Sequence, residues 1–241
     1  MHIRPATHAD LSSLATIGAL AFKDDGLLQW LYPGGVEHPE DFRGVFLHRL
    51  HERMATPGIV IMVMETDEDD ADWDGTGRIV AYTNWERRGD DGVAKRWWTG
   101  GWMDFINRTL LGLKGEYLKL SGTNCCMSRS NMGLFEASMT ARFDNLSSYW
   151  LLRVLAVSPA LQRRGIGGRL LRWGLDVAQS EGVPVTLEAT PQGQGLYLQN
   201  GFRKFGEIEE PGMKEPGPLF IWEPKGLEGL WGTQDVPGER R

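Results

Sequence analysis

The chain has 241 residues, of which 24% are charged, and a formal net charge of -6 at pH 7. This length favours a single domain with a full hydrophobic core, and the negative charge disfavours a nucleic-acid partner recognised through its phosphates. No stretch reaches the roughly 18 apolar residues of a membrane-spanning helix, and the first residues lack an apolar signal region, so we expect a cytoplasmic protein without a membrane partner.

Apolar periodicity in the first part of the chain predicts two helices and three strands. The first helix follows Thr7 and Asp10, which can cap its N-terminus, and the second ends before the break at Pro57 and Gly58. The acidic run 67–74 is typical of a solvated hairpin loop, which we favour over a metal site. The predicted elements are a strand at 2–4, helices at 11–22 and 40–54, and strands at 59–64 and 78–86.

Residues 87–148 form a region that is rich in aromatic residues. Trp97 and Trp98 stand among residues that favour helices, whereas a disordered linker would be poor in aromatic residues. We therefore expect a helical insertion. The region contains both cysteines of the chain, Cys125 and Cys126, whose adjacency is poor geometry for a disulfide and indicates a reducing compartment.

The last part of the chain alternates strands with helices, which predicts an α/β arrangement. Pro184 is compatible with this pattern because it stands at the start of its strand. The segment after Pro224 has few apolar residues, so we expect a mobile tail. The predicted elements are strands at 150–157, 183–189, 202–209 and 219–223, and helices at 167–181 and 193–200.

A glycine-rich turn joins the strand at 150–157 to the helix that follows it. Gly165, Gly167 and Gly168 allow backbone N–H groups to approach an anion closely, and the helix N-terminus adds partial positive charge. On spacing alone, a plain structural turn is as good an interpretation as an anion site. Two other phosphate motifs fail, because Leu170 replaces the third glycine of a dinucleotide-binding fingerprint and the Gly-Lys-Ser/Thr of a P-loop is missing.

The turn resembles the acetyl-coenzyme A (acetyl-CoA) motif of the GNAT acetyltransferase superfamily. Residues 162–167, Gln-Arg-Arg-Gly-Ile-Gly, fit the consensus Gln/Arg-x-x-Gly-x-Gly/Ala, and residues 196–202, Leu-Tyr-Leu-Gln-Asn-Gly-Phe, are similar to a second family motif. Residues 3–7 also resemble the family's opening. The layout is most similar to puromycin-acetyltransferase-like members, because it shares Leu-Glu-Ala-Thr at 187–190 and a long insertion before the coenzyme strand.

This resemblance implies an α/β (α+β) fold, with a central mixed sheet of about seven strands flanked by helices. A single acetyltransferase domain would span 1–223, with the helical insertion at 87–148 before the coenzyme-binding strand and a tail at 224–241. The resemblance also implies acetyl-CoA as the cosubstrate and no metal.

The same resemblance assigns coenzyme contacts to the end of one strand and to the turn. Backbone groups of the strand would bind the pantetheine arm and place an N–H near the thioester oxygen, while the turn would bind the diphosphate. The residues assigned in this way are Leu155, Ala156, Val157, Gln162, Arg163, Arg164, Gly165, Ile166, Gly167 and Gly168.

Acetyl transfer to an amine requires a neutral nucleophile and a proton for the departing thiolate. By resemblance Tyr197 supplies that proton, which a phenol with a pKa of about 10 can do, or else it only packs its helix. Leu151 stands where histone-type relatives have a glutamate, so Glu188 on the next strand is our first candidate for the base. Alternatively, Glu188 forms a structural ion pair with Arg153 or Arg203. Weaker candidates for the base are Asp25, Glu136 and a water chain.

The acceptor is expected between the loop after the first helix and the insertion. Asp25, Trp30 and Tyr32 are the candidate acceptor-binding residues, and Trp97 and Trp98 either extend an aromatic wall or belong to the core. The chain is thus predicted to be a small-molecule N-acetyltransferase, monomeric or homodimeric, that acts on a primary amine by direct attack in a ternary complex. A peptide or protein N-acetyltransferase and a non-catalytic coenzyme-binding protein are the alternatives.

Overall fold

The computed structural model describes residues 1–98, 109–111, 113, 127–143 and 146–231. These residues form one mixed sheet of seven strands with helices packed on it. The strand order is β1-β2-β3-β4-β5-β7-β6, and only β4 and β5 are paired in parallel among these neighbours. The strands are β1 His2–Pro5, β2 Ile59–Glu65, β3 Ile79–Arg88, β4 Tyr149–Val157, β5 Val185–Glu188, β6 Arg203–Ile208 and β7 Gly217–Trp222. This architecture confirms the predicted fold class.

Helices cover both faces of the sheet. They are α1 Leu11–Ala21, α2 Gly26–Leu31, α3 Pro39–Met54, α4 Arg129–Phe143, α5 Ile166–Glu181 and α6 Gln194–Gln199, with short 3-10 turns at His8–Asp10, Ala94–Trp97 and Pro159–Leu161. The sequence pattern predicted most of these helices within a few residues. It did not predict α2, which occupies a segment expected to be a loop.

The two faces have separate cores. On one face, α1 and α3 pack their apolar residues against Val63 and Tyr82 of the central strands. On the other, α5 packs against Trp85 and Trp150. The second contact is very close, because a Cβ atom added to Gly174 of α5 would lie 2.1 Å from Cζ2 of Trp85. Only glycine lets this helix approach the tryptophan so closely.

Strands β4 and β5 separate after only two residue pairs. Their pairing consists of Trp150 with Val185 and Leu151 with Thr186. Residues 152–157 of β4 therefore have no β5 partner in the described structure. Because strand N–H and C=O groups point alternately to the two neighbouring strands, this edge of β4 is left with free backbone groups.

A β-bulge interrupts β4 at the point where the two strands separate. On β3, Asn84 pairs with Val154 and the next residue, Trp85, pairs with Leu152. Arg153 is therefore the extra residue of the bulge. Bulges bend a strand and increase its local twist, which helps to turn β4 away from β5.

A buried ionic network attaches the two ends of the 87–148 segment to each other and to α5. Nε of Arg87 donates to Glu181 at 2.7 Å, and its other nitrogens donate to Ser148 at 2.8 Å and Asp91 at 3.1 Å. The Arg87 side chain has no exposed surface. Trp97 Nε1 also donates to Glu181, at 2.6 Å. The network therefore connects the start of this segment, its end and the last turn of α5.

The acidic hairpin loop between β2 and β3 contacts its surroundings through its carboxylates. Asp67 and Asp70 pair with the amino group of Met1, and Asp72 pairs with Arg164 at 2.9 Å. Among the described residues, no group of three potential metal ligands and no helix apolar enough to cross a membrane is found.

Several predictions fall on residues that the structure does not describe. They concern Cys125, Cys126, the side chain of Glu136 and the tail from 232 onward.

Candidate active site

The glycine-rich turn leaves the end of β4 and enters α5 through unusual backbone conformations. A 3-10 turn at Pro159–Leu161 follows β4, and the Gln162 side chain donates back to the carbonyl of Val157 at 3.2 Å. Arg163 and Gly165 then adopt left-handed conformations, with φ of 65° and 80°. Such a conformation is costly for arginine and is typical of sites where the backbone is shaped for a purpose.

The first turn of α5 presents unpaired backbone donors. The first helical bond runs from the N–H of Arg169 to the carbonyl of Gly165 at 3.1 Å, so the N–H groups of Ile166, Gly167 and Gly168 precede the helical ladder. This end of the helix also carries partial positive charge. The turn therefore has the backbone donors that an anion site requires, and the coenzyme role assigned to it stays a prediction.

The helix start lies close to both β4 and α6. A Cβ atom added to Gly167 would lie 3.1 Å from Cδ2 of Leu155 and 3.6 Å from Cδ2 of Leu196. A larger residue would push the turn away from the open edge of β4. Glycine at this position thus keeps the glycine-rich turn close to the open edge of β4.

A cavity of about 200 Å³ begins at the open edge of β4 and extends beneath α2 and α3. It contains both candidate catalytic residues, Glu188 and Tyr197, and Leu155 of the predicted coenzyme strand. Further lining residues include Tyr32, Leu28 of α2, Phe46, Arg49 and Arg53 of α3, and Phe135 of α4. The structure thus brings residues from distant parts of the sequence to one cavity.

Tyr197 is held rigidly at this cavity by aromatic packing. Its side chain is 7% exposed, and its ring contacts Phe202 edge-on, with centroids 5.5 Å apart, and lies 6.2 Å from Phe220. Burial, and to a lesser degree the neighbouring Glu188, raises the pKa of the Tyr197 phenol. The phenol is consequently protonated at neutral pH and can act as a proton donor.

Glu188 lies at the end of β5 in an environment that disfavours its charge. Burial raises the pKa of its carboxyl to about 8, and the negative charge of Asp25 adds to the effect. The structural ion pair considered above is not formed, because Arg153 pairs with Glu86 and Arg203 pairs with Glu223. A carboxyl that titrates near neutrality in a cavity is a candidate general base.

The three predicted acceptor residues occupy different places. Asp25 lines the cavity, is buried, and caps α2 by accepting from the N–H of Leu28 at 2.9 Å. Burial also raises the pKa of its carboxyl. Tyr32 lines the cavity, whereas Trp30 is buried outside it and donates to the carbonyl of Pro211 at 3.2 Å.

The predicted aromatic wall is not found where Trp97 lies. Its ring packs edge-on against Trp150, with centroids 5.0 Å apart, on the α5 face of the sheet. Trp98 is 49% exposed and does not line the cavity. Of these aromatic residues, Tyr32 alone borders the cavity in the described structure.

Sequence reasoning missed three arginines that line the cavity. Arg49 and Arg53 lie one helical turn apart on α3, and Arg153 is the bulged residue of β4. A signal was present for α3, since Arg49 follows Val45 and Phe46 by four and three residues and therefore shares their buried face. No sequence signal marks the bulge, because Arg153 stands in an otherwise apolar strand.

Comparisons with known proteins agree with this geometry. Residues 133–204 match the family model of the acetyltransferase (GNAT) domain. An acetyltransferase from Stachybotrys chartarum is 26% identical over 215 residues, which cover 87% of this chain and 83% of that protein.

Solved structures share the fold. One described as histone acetyltransferase HPA2 and related acetyltransferase, from Corynebacterium glutamicum, is 21% identical, with a TM-score of 0.58 and coverage of 92% of this chain and 95% of its own. Naa20 from Chaetomium thermophilum is 11% identical, with a TM-score of 0.50 and coverage of 100% and 95%. At these identities the likeness concerns the fold alone. Residues 133–204 thus match the acetyltransferase (GNAT) domain, the chain is similar over most of its length to an acetyltransferase, and its sheet has the fold of a solved acetyltransferase.

Proposed function

We propose that this protein transfers the acetyl group of acetyl-CoA to a primary amine of a small molecule, by direct attack in a ternary complex. The observation that carries the proposal is the continuous cavity that joins the open edge of β4, Glu188 and Tyr197 to the pocket beneath α2 and α3. The candidate acid and the candidate base both line this cavity, and Leu155 and Leu196 of the same lining lie beside Gly167 at the start of α5.

The turn before α5 is the proposed diphosphate site. The unpaired N–H groups of Ile166, Gly167 and Gly168 fit an anion, and the left-handed Arg163 and Gly165 shape the turn around it. The free backbone groups of β4 at Leu155 to Val157 fit the amides of a pantetheine arm. GNAT acetyltransferases use acetyl-CoA, which supplies an activated acetyl group and a good leaving group.

Glu188 and Tyr197 are the proposed proton carriers. An alkylamine is mostly protonated at neutral pH and must lose a proton before it can attack. Glu188 would remove that proton, and its raised pKa makes it a stronger base than an ordinary carboxylate. Tyr197 would donate its phenolic proton to the departing sulfur, and its phenol is in the protonated form at neutral pH.

The size of the cavity supports a small acceptor. Pockets for drug-sized ligands measure about 300 to 1,000 Å³, whereas this cavity measures about 200 Å³. Phe135 of α4 and Tyr32 contribute aromatic rings to its lining. This size favours a small amine over a peptide acceptor, which requires a longer groove.

Coenzyme binding is tested by titrating CoA and acetyl-CoA into the protein by calorimetry, with Gly168→Glu as the informative variant. A glutamate at the third helical position favours the helix dipole, and a Cβ atom at Gly168 meets only ordinary contact with Leu196 at 3.6 Å, so the fold should tolerate it. Its carboxylate would repel a diphosphate, so we expect affinity to fall by about 10-fold or more.

The matched control is Gly195→Glu, which adds the same charge to the first turn of α6 in open space. We expect it to bind CoA like the unchanged protein. Absence of any heat at millimolar coenzyme would remove the proposal.

Turnover is tested by measuring free thiol release from acetyl-CoA over panels of small amines and peptides. We expect release with small amines. A large preference in kcat/KM for peptides would instead support the protein-acetyltransferase alternative, and binding without release would support a non-catalytic coenzyme-binding protein.

A further inference from the structure

The cavity is lined by two groups of opposite charge. One consists of the arginines Arg49 and Arg53 of α3 and Arg153 of β4, and the other of the carboxyl groups of Asp25 and Glu188. Within the second group, the charge of Asp25 adds to the effect of burial and raises the pKa of Glu188. Within the first, the charges of Arg49 and Arg153 add to the effect of burial and lower the pKa of Arg53.

Arg53 is the arginine with the least compensation. Within the described residues, no carboxylate lies within ion-pair distance of it, while Arg153 has Glu86. Burial, together with the positive charges of Arg49 and Arg153, lowers the pKa of Arg53 to about 10. A guanidinium in a partly buried cavity without a counter-ion is costly, and an anionic ligand would remove that cost.

Arg49 is oriented in the cavity by contacts that leave it able to bind an anion. Its guanidinium carbon lies 5.6 Å from the ring centroid of Tyr32, and Nη2 lies 3.2 Å from Sδ of Met132. Neither partner carries a negative charge. Arg49 and Arg53, one turn apart on the same helix, therefore present two guanidinium groups to the same space.

We propose that the acceptor is an amine that also carries a carboxylate, with the carboxylate bound by Arg49 and Arg53 and the amine directed to Glu188 and Tyr197. This inference rests on the proposed function, because it assigns the substrate class of the same site. The carboxylate and the ammonium group of a zwitterionic amino acid are complementary to the arginines and the carboxyl groups of this cavity. The arginines bind and orient it, and they take no part in proton transfer.

The test compares amino acids with their primary amides, which keep the amine and the shape but lose the negative charge. The panel consists of glycine, β-alanine, 4-aminobutyrate, 6-aminohexanoate and the proteinogenic L-amino acids, each beside its amide. We expect at least one acid to exceed its amide in kcat/KM by about 10-fold or more, because charge-assisted hydrogen bonds would be lost in the amide.

Arg53→Gln is the informative variant and should bring the acid-to-amide ratio close to one. Arg49→Met, a second variant at the same site, should lower that ratio as well and guards against a folding defect of the first. Arg43→Gln is the matched control, since Arg43 lies on the same helix, outside the cavity, and pairs with Glu40. Its acid-to-amide ratio should equal that of the unchanged protein.

Calorimetric titration of the same acids and amides, with CoA present, separates this inference from the proposed function. Preferential binding of acids that Arg53→Gln abolishes supports the inference even if no thiol is released. Acetylation of amines without a preference for acids overturns it and leaves the proposed function intact. An acid preference that both variants retain also overturns it.

Discussion

At the scale of single residues, the central property of the site is the raised pKa of Glu188. It keeps this carboxyl group protonated at pH values at which most carboxyl groups are ionised. Its pKa of about 8 results from burial at the end of β5 and from the nearby Asp25. A base with this pKa is half ionised close to physiological pH. Its state of protonation should therefore be visible both in catalysis and in stability.

The pH dependence of acetyl transfer tests the role of Glu188. As a base it must be ionised, so we expect kcat to rise with pH and to level off above about 8, the pKa of the carboxyl. Glu188→Gln should lower kcat by about 100-fold or more and remove this limb. If the variant keeps the profile of the unchanged protein, the base lies elsewhere.

Stability gives a second, independent measurement of the same group. Between the ordinary carboxyl pKa and about 8, the unfolded chain ionises Glu188 while the folded protein keeps it protonated. The folded state then binds more protons, so the free energy of unfolding falls as pH rises through this window. The Glu188→Gln variant has no ionisable group at this position, so its free energy of unfolding does not fall for this reason. The difference in Tm between variant and unchanged protein should therefore grow in favour of the variant from about pH 4.5 to about pH 8.

Tyr197→Phe tests the proposed acid with little change in packing. The ring contacts with Phe202 and Phe220 remain, so we expect a Tm close to that of the unchanged protein. Loss of the phenolic proton should lower kcat by about 100-fold or more, with a smaller effect on KM. Unchanged kcat across the pH range would show that the tyrosine only packs its helix.

At the scale of elements, the contact between α5 and the sheet fixes the position of the glycine-rich turn. Gly174 allows α5 to lie against Trp85, and the position of α5 in turn determines where the turn before it lies. The bulge at Arg153 and the early end of the β4–β5 pairing open the neighbouring gap. The site therefore depends on how the elements pack as much as on its own residues.

Gly174→Ala tests this packing. Its methyl group would lie 2.1 Å from the Trp85 ring, so either the helix or the ring must move. We expect a loss of about 1–3 kcal/mol in the free energy of unfolding, measured by guanidinium denaturation.

The matched control is Gly133→Ala on α4, where an added Cβ meets nothing within 4 Å. This change should be neutral or stabilise by up to about 1 kcal/mol. Equal effects of the two substitutions would contradict the close contact inferred at Gly174.

The elements were more predictable from the sequence than the site was. Apolar periodicity marked the long helices and the strands, and the match to the GNAT motifs is confirmed. In contrast, α2 is six residues long, too short for a helical period to show. The separation of β4 from β5 and the bulge at Arg153 depend on hydrogen bonds between distant segments, which no local pattern records.

The roles assigned to Tyr197, Glu188 and the coenzyme turn stay predictions, as does the likeness to puromycin-acetyltransferase-like members. The structure brings Tyr197 and Glu188 to one cavity, whereas Trp97 packs against Trp150 outside that cavity. An aromatic-rich segment does not reveal which face it will cover, because either face buries apolar surface equally well. For the arginines of α3 the sequence did hold a signal, because a charged residue on the apolar face of a helix is unusual and indicates a polar cavity.

At the scale of the whole molecule, the buried network around Arg87 joins segments that are far apart in the chain. Glu181 of α5 pairs with Arg87 and accepts from Trp97. Because the arginine has no exposed surface, the pair is a requirement of the fold.

Glu181→Ala tests this requirement. It would leave the Arg87 charge buried with Asp91 as its remaining ionic partner, and we expect a loss of about 3–5 kcal/mol in the free energy of unfolding. Glu40→Ala is the control, since Glu40 is exposed and its pair with Arg43 is worth less than about 1 kcal/mol. Similar losses in the two variants would show that the network contributes little.

The same network has a consequence for how the long connection between β3 and β4 can change. Arg88 and Tyr149 are paired across the two strands, so the chain leaves the sheet and returns to it at neighbouring positions. Because the two ends of this segment are held at neighbouring positions of the sheet, its length and sequence can change without altering the strand register. Side chains that this segment contributes to the cavity, such as Phe135, can then change while the pairing of β3 with β4 stays the same.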